Sequence, residues 1–129
     1  MSGSTTEIRW HSRGGQGAKT AAAMVAEVAI GLGKYGQGYP DYGAERAGAP
    51  MKAYNRISEE PIRAHSAIYS PDVVIVFDDT LLGTVDVCEG LEQSGVLLVN
   101  TDKSVDEIRK ITGFEGKLYV LNATQIAME

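Results

Sequence analysis

The stretch Ser12-Arg13-Gly14-Gly15-Gln16-Gly17 concentrates the binding chemistry of this chain. A turn of this kind between a strand and a helix presents unpaired backbone N–H groups and the positive end of the helix dipole, and its glycines let an anion approach the backbone. Phosphate or carboxylate is the guest such a turn suits. Arg13 can add a forked guanidinium contact, and Gln16 can orient a neighbouring polar group. For any one glycine, tight strand-to-helix packing explains the residue nearly as well, but Gly14, Gly15 and Gly17 lie within four positions, which favours the binding reading. Two better-known phosphate motifs do not fit. A P-loop needs Gly before Lys-Thr, where this chain has Ala18 before Lys19-Thr20, and a dinucleotide fingerprint needs Gly where Ser12 stands.

The second constellation is Tyr42-Gly43-Ala44-Glu45-Arg46-Ala47-Gly48-Ala49-Pro50. Arg46, set among small residues in an aromatic loop, can fork onto oxygens or stack on a planar group. The competing reading is a weak Glu45–Arg46 contact on a solvated loop. His11 falls at the end of the first strand, where open α/β sheets place ligands, whereas His65 reads as structural. The two histidines lack metal-ligand spacing, and no serine or cysteine has a base partner, so no residue of this chain is assigned catalysis or a metal. Asp78 and Asp79 end an apolar strand and read better as helix caps than as an acid–base pair.

The elements that position these residues follow from periodicity. Glu7–His11 reads as a strand, Ala18–Leu32 as a helix stopped by Gly33, and Tyr35–Pro50 as an ordered functional loop with four glycines and two prolines. Met51–Ser58 reads as a strand, with Ile62–Ile68 pairing to it or carrying the chain back beneath the sheet. Val73–Phe77 is a β-branched run suited to a parallel strand buried on both faces. A helix over Thr80–Gln93, capped by Asp79 or Thr80, a strand at Val96–Val99, a Ser104-capped helix at Val105–Ile111 and a strand at Leu118–Leu121 complete the pattern. The fold class is α/β: one Rossmann-like domain, a mainly parallel sheet with helices on both faces, over residues 7–129 behind a flexible lead at 1–6. Ala21–Ile30 is apolar apart from Glu27, so this helix calls for cover on more than one side, which a partner subunit can supply.

With 129 residues the chain suits one core, and its net charge of -5 weighs against a nucleic-acid partner. One cysteine, Cys88, rules out an internal disulfide and a cluster of four thiolates within the chain. No run reaches the length of a membrane helix and residues 1–6 have no apolar signal core, which together predict a cytoplasmic protein with no membrane partner.

Taken together, Arg13–Gly17, the loop Tyr42–Gly48 and Ala53–Pro61 with Arg56-Ile57-Ser58 resemble the gamma subunit, or gamma domain, of the 2-oxoacid:ferredoxin oxidoreductases, of which pyruvate synthase is one. The resemblance implies a multi-subunit enzyme that oxidatively decarboxylates a 2-oxoacid on thiamine diphosphate, passes electrons through iron–sulfur clusters to ferredoxin or a similar carrier, and usually transfers the acyl group to coenzyme A. It implies alpha, beta and delta-type partner subunits that hold the thiamine diphosphate, Mg and clusters. This chain, inactive alone, would contribute an anion-accepting turn at Arg13, Gly14, Gly15, Gln16 and Gly17, the candidate contact for coenzyme A, with Arg46 helping at the active-site edge. Departures from the family are Ser12 for a common Gly and Ala47 for a common second Arg, which weakens a two-arginine clamp. The resemblance also implies a further helical segment after the Asn122–Ala127 stretch. The reading from the turn alone leaves open a free-standing nucleotide-binding or regulatory module.

Overall fold

In the computed structural model, residues 5–41 and 48–123 are described. Six strands form one sheet in the order β2-β3-β1-β4-β5-β6. They are β1 (Thr5–Arg13), β2 (Tyr35–Pro40), β3 (Pro50–Ser58), β4 (Val73–Val76), β5 (Val96–Asn100) and β6 (Lys117–Leu121). β3 pairs antiparallel with both β1 and β2, while β1–β4, β4–β5 and β5–β6 are parallel. Five strands therefore run one way and β3 opposes them, the mainly parallel α/β sheet expected from the alternation of strand and helix patterns. β1 starts at Thr5, inside the stretch read as a flexible lead.

Helix α1 (Ala18–Gly31) follows the glycine-rich turn and buries Ala18, Ala22, Ala26 and Ala29. Their spacing of four, four and three places them on one stripe. The stripe is narrow because the helix lies almost on the backbone of β2: a Cβ on Gly38 would stand 2.4 Å from the Ala22 carbonyl oxygen, and one on Gly36 2.8 Å from that of Ala26. Asn55 of β3 locks the contact. Its amide donates to the carbonyls of Ala22 and Gln37, and its Oδ1 accepts from the Trp10 indole N–H. Gly33, at φ +84°, ends the helix as expected, and the Lys34 N–H returns to Ala29 O.

The other face carries α2 (Val105–Thr112) and a 3₁₀ turn, Asp79–Gly83. Ser104 caps α2 by accepting from the Glu107 N–H, and Gly113 closes it at φ +73°. Strand alternation divides the apolar residues. Val74, Val76, Leu97, Val99 and Leu118 join Ile108 and Phe114 in one core, whereas Trp10, Ala53, Ile75 and Phe77 lie with α1 on the opposite face. Helices thus flank both faces.

Two sequence expectations are corrected, and one pair of alternatives is resolved. Tyr35–Pro50 is not all loop: Tyr35–Pro40 forms edge strand β2, because its glycines admit α1 and its backbone pairs with β3. Thr80–Gln93 is not an α-helix. It closes after one 3₁₀ turn, capped by Asp78 rather than Asp79 or Thr80, and the carbonyls of Val87 and Glu89 accept from Arg9 instead of from a helical backbone. Of the two readings of Ile62–Ile68, strand pairing does not occur and the segment instead carries the chain back. Arg56 holds this return segment through the carbonyls of Ala64 and Ser66.

Candidate functional site

The glycine-rich turn sits where the carboxyl ends of β1 and β4 meet. From β1 the chain passes through α1 to β2 on one side of the sheet, and from β4 it passes to β5 on the other, so the crevice between them is a topological switch point. Open α/β sheets bind ligands at such points. Gly17 occupies the N-cap of α1 at φ +89°, a left-handed conformation that favours glycine, and Gly15 adopts φ +88°. Among the described residues no side chain caps α1, and its first turn contains no acidic residue. The first turn of the helix itself thus carries no negative charge against the positive end of its dipole.

Arg13 is turned into the crevice. Its Nη1 donates to Gly48 O at 2.9 Å, its Nε and Nη2 donate to Thr80 Oγ1 at 3.1 and 3.0 Å, and its Nε lies 3.5 Å from Asp78 Oδ2. Gln16 bridges the same groups. Its Oε1 accepts from the Arg13 N–H at 2.7 Å, and its Nε2 donates to Asp78 Oδ2 at 2.8 Å. Thr80 donates to Asp78 through both its N–H and its hydroxyl. The Thr80 hydrogen bond, then Gln16 and Arg13, holds the Asp78 carboxyl below the usual carboxylate range. Asp78 is thus a fixed anion facing Arg13. The guanidinium read from sequence as a ligand contact is engaged by Gly48, Thr80 and Asp78.

Gly14 joins the turn to the second constellation: its N–H donates to Ala49 O and its carbonyl accepts from the Gly48 N–H. Arg46 and the rest of Tyr42–Ala47 lie outside the described residues. Asp79 ties β4 to β5 by accepting from Thr101 Oγ1 at 2.6 Å and facing Lys103 Nζ at 3.6 Å. Asp78 and Thr80 are the partners that sequence reasoning did not join to Arg13. The available signal was the apolar run before Asp78, which marks a strand end that a parallel neighbour places beside the end of β1.

His11 lies near the crevice but outside its chemistry. The ring is buried, Nε2 accepts from Arg9 Nε at 2.9 Å, and burial together with the Arg9 charge pushes its pKa down to about 3. His65 lies 3.4 Å from Gln37. No group of three or more His, Cys, Asp or Glu side chains gathers as a metal site among the described residues.

The sequence matches the family described as Pyruvate ferredoxin/flavodoxin oxidoreductase over residues 7–129. It is 57% identical over 123 residues to "Pyruvate synthase subunit PorC" of Thermotoga maritima, an alignment covering 95% of this chain and 64% of that protein. It is 52% identical over 124 residues to "Pyruvate/ketoisovalerate oxidoreductases common subunit gamma" of Thermococcus kodakarensis, covering 95% and 67%. The crystal structure of the Thermotoga maritima pyruvate oxidoreductase subunit superposes with a TM-score of 0.86 at 53% identity, covering 97% of this chain and 66% of that one. This chain therefore spans about two thirds of the length of these relatives. With the match running from Glu7 to Glu129 and the fold shared with the Thermotoga subunit, the chain belongs to the pyruvate ferredoxin/flavodoxin oxidoreductase family.

Proposed function

We propose that this chain is the gamma-type component of a cytoplasmic 2-oxoacid:ferredoxin oxidoreductase, a multi-subunit enzyme that oxidatively decarboxylates a 2-oxoacid. The observation that carries the reading is the identity of more than half over 123 residues to a pyruvate synthase subunit, together with the shared fold. Alpha, beta and delta-type subunits would hold the thiamine diphosphate, Mg and iron–sulfur clusters, which would supply the decarboxylation and the electron transfer to ferredoxin or a similar carrier. A chain with one cysteine cannot supply the thiolates of a cluster.

The role of this chain is binding. The start of α1 receives an anionic group, with a phosphate of coenzyme A as the first candidate. The left-handed Gly17 and the acid-free first turn favour this use. Arg13, Gln16 and Asp78 set the shape of the turn, Gly14 and Gly15 place no side chain over it, and Arg46 supplies a cation.

Purification through a tag on this chain from its host tests the assembly. Larger partners, brown cluster absorbance and bound thiamine diphosphate are expected; a colourless solitary chain that binds nucleotides would instead establish the stand-alone module. Thr20→Glu tests the anion site. A carboxylate in the first turn favours the helix by about 0.3–1 kcal/mol but repels an anion. The melting temperature should hold or rise while coenzyme A binding weakens, and unchanged binding by calorimetry would exclude the start of α1 as the site.

A further inference from the structure

An arginine beside a carboxylate ordinarily forks onto it through two parallel N–H···O bonds. Arg13 and Asp78 do not pair in this way. Their ion pair closes only to 3.5 Å, from Nε to Oδ2, longer than the roughly 2.7–2.9 Å of a charge-assisted hydrogen bond. The Thr80 hydroxyl stands between them. It accepts from Arg13 Nε at 3.1 Å and from Nη2 at 3.0 Å, and it donates to Asp78 Oδ1 at 2.6 Å. A hydroxyl has one donor and two acceptor positions, so Thr80 is saturated by the two groups it separates. Gln16 Nε2 takes the other carboxylate oxygen at 2.8 Å. The bonds of Arg13 to Thr80 and Gly48 use three of the five N–H groups of a guanidinium. Among the described residues nothing takes the other two, and the side chain is 26% exposed.

We propose that Thr80 is a positioning residue of the anion site: its hydroxyl keeps Asp78 from capturing Arg13, and the guanidinium so held offers its two remaining donors to a phosphoryl group beside the start of α1. The inference rests on reading the glycine-rich turn as the site for a phosphate of coenzyme A. Phosphoryl oxygens match the spacing of a guanidinium fork. A guanidinium fixed before the ligand arrives loses little freedom on binding, and one kept out of a close pair with Asp78 retains more of its charge for the anion. Without the hydroxyl, the two donors that it accepts are released beside the Asp78 carboxylate. Arg13 then closes onto Asp78 as an internal fork, and the ligand must compete with that carboxylate for it.

The test uses the protein as purified through a tag on this chain, with coenzyme A binding read by calorimetry and the melting temperature read alongside. Thr80→Val keeps the β-branched shape and the backbone N–H that Asp78 accepts, and removes only the hydroxyl. Affinity for coenzyme A should fall at least about tenfold, the worth of one hydrogen bond to a charged group. The melting temperature should hold, because Thr80 is exposed and water replaces its bonds. Thr80→Ser should bind as the unaltered protein does. Asp78→Asn added to Thr80→Val should recover affinity, because asparagine still caps the turn but no longer draws the guanidinium. The proposal is overturned by unchanged binding in Thr80→Val, by Thr80→Ser as weak as Thr80→Val, by no recovery on adding Asp78→Asn, or by a weakening that tracks a lost melting temperature. Thr20→Glu separates the two levels. If it weakens binding and Thr80→Val does not, the anion site stands and the role of Thr80 falls; if neither weakens it, the reading of the turn falls as well.

Discussion

His11 illustrates how a residue well placed for function can be retained for structure. It stands at the carboxyl end of β1, yet its Nε2 is the acceptor for Arg9, a buried guanidinium whose remaining donors hold the carbonyls of Ile68, Val87 and Glu89. A protonated ring would lose that acceptor role and face the Arg9 charge, so the folded protein keeps His11 neutral. Its folded pKa of about 3 lies below the ordinary 6.5. Between those values the unfolded chain binds a proton that the folded chain refuses, so stability falls as pH drops through that window, by up to about 1.4 kcal/mol per pH unit. His11→Gln keeps an acceptor without the titration. Its urea midpoint should fall less than that of the unaltered protein between pH 7 and pH 4.5, and equal slopes would show that His11 does not govern acid stability.

At the scale of elements, the packing of α1 on β2 depends on missing side chains. Ala22 on the helix and Gly38 on the strand let two backbones approach within contact distance, and Asn55 bonds across the same junction. Gly38→Ala has no room, since the nearest obstacle is the rigid backbone carbonyl of Ala22. Overpacking of this kind costs about 1–3 kcal/mol. Denaturant unfolding should show that loss, whereas Gly31→Ala, with nothing within 4 Å of its new Cβ, should be neutral or stabilising. If both variants unfold alike, helix propensity rather than close approach decides this interface.

Across the whole molecule the two sheet faces differ in kind. The α2 side is a core of large side chains around Leu97, Ile108 and Phe114, while the α1 side is alanine-rich and open over β5 and β6. Neighbouring leucines on β5 should report the difference. Leu97→Ala removes a fully buried side chain and should cost about 2–5 kcal/mol. Leu98→Ala, on the partly open face, should cost well under half as much in the isolated chain. Comparable losses by chemical denaturation would mean that both faces are already filled.

The sequence by itself determined the strands Val73–Phe77 and Val96–Val99, the α1 and α2 helices and the placement of the glycine-rich turn, because each carries a local signal: β-branched runs, Ser104 as a cap, glycines at left-handed stops. Its motifs also pointed to the family. It did not reveal β2, since two glycines and a proline read as loop until a helix packs against them, nor the loss of the helix after Asp79, whose carbonyls are claimed by Arg9 from a strand some eighty residues earlier. The union of Arg13 and Gln16 with Asp78 and Thr80 was likewise beyond local reading. It exists only because β4 lies parallel to β1, bringing two strand ends together across 62 residues of chain. Propensity and spacing act over a few residues, whereas sheet order and helix contact decide which distant groups share a crevice, and that decision belongs to the tertiary structure.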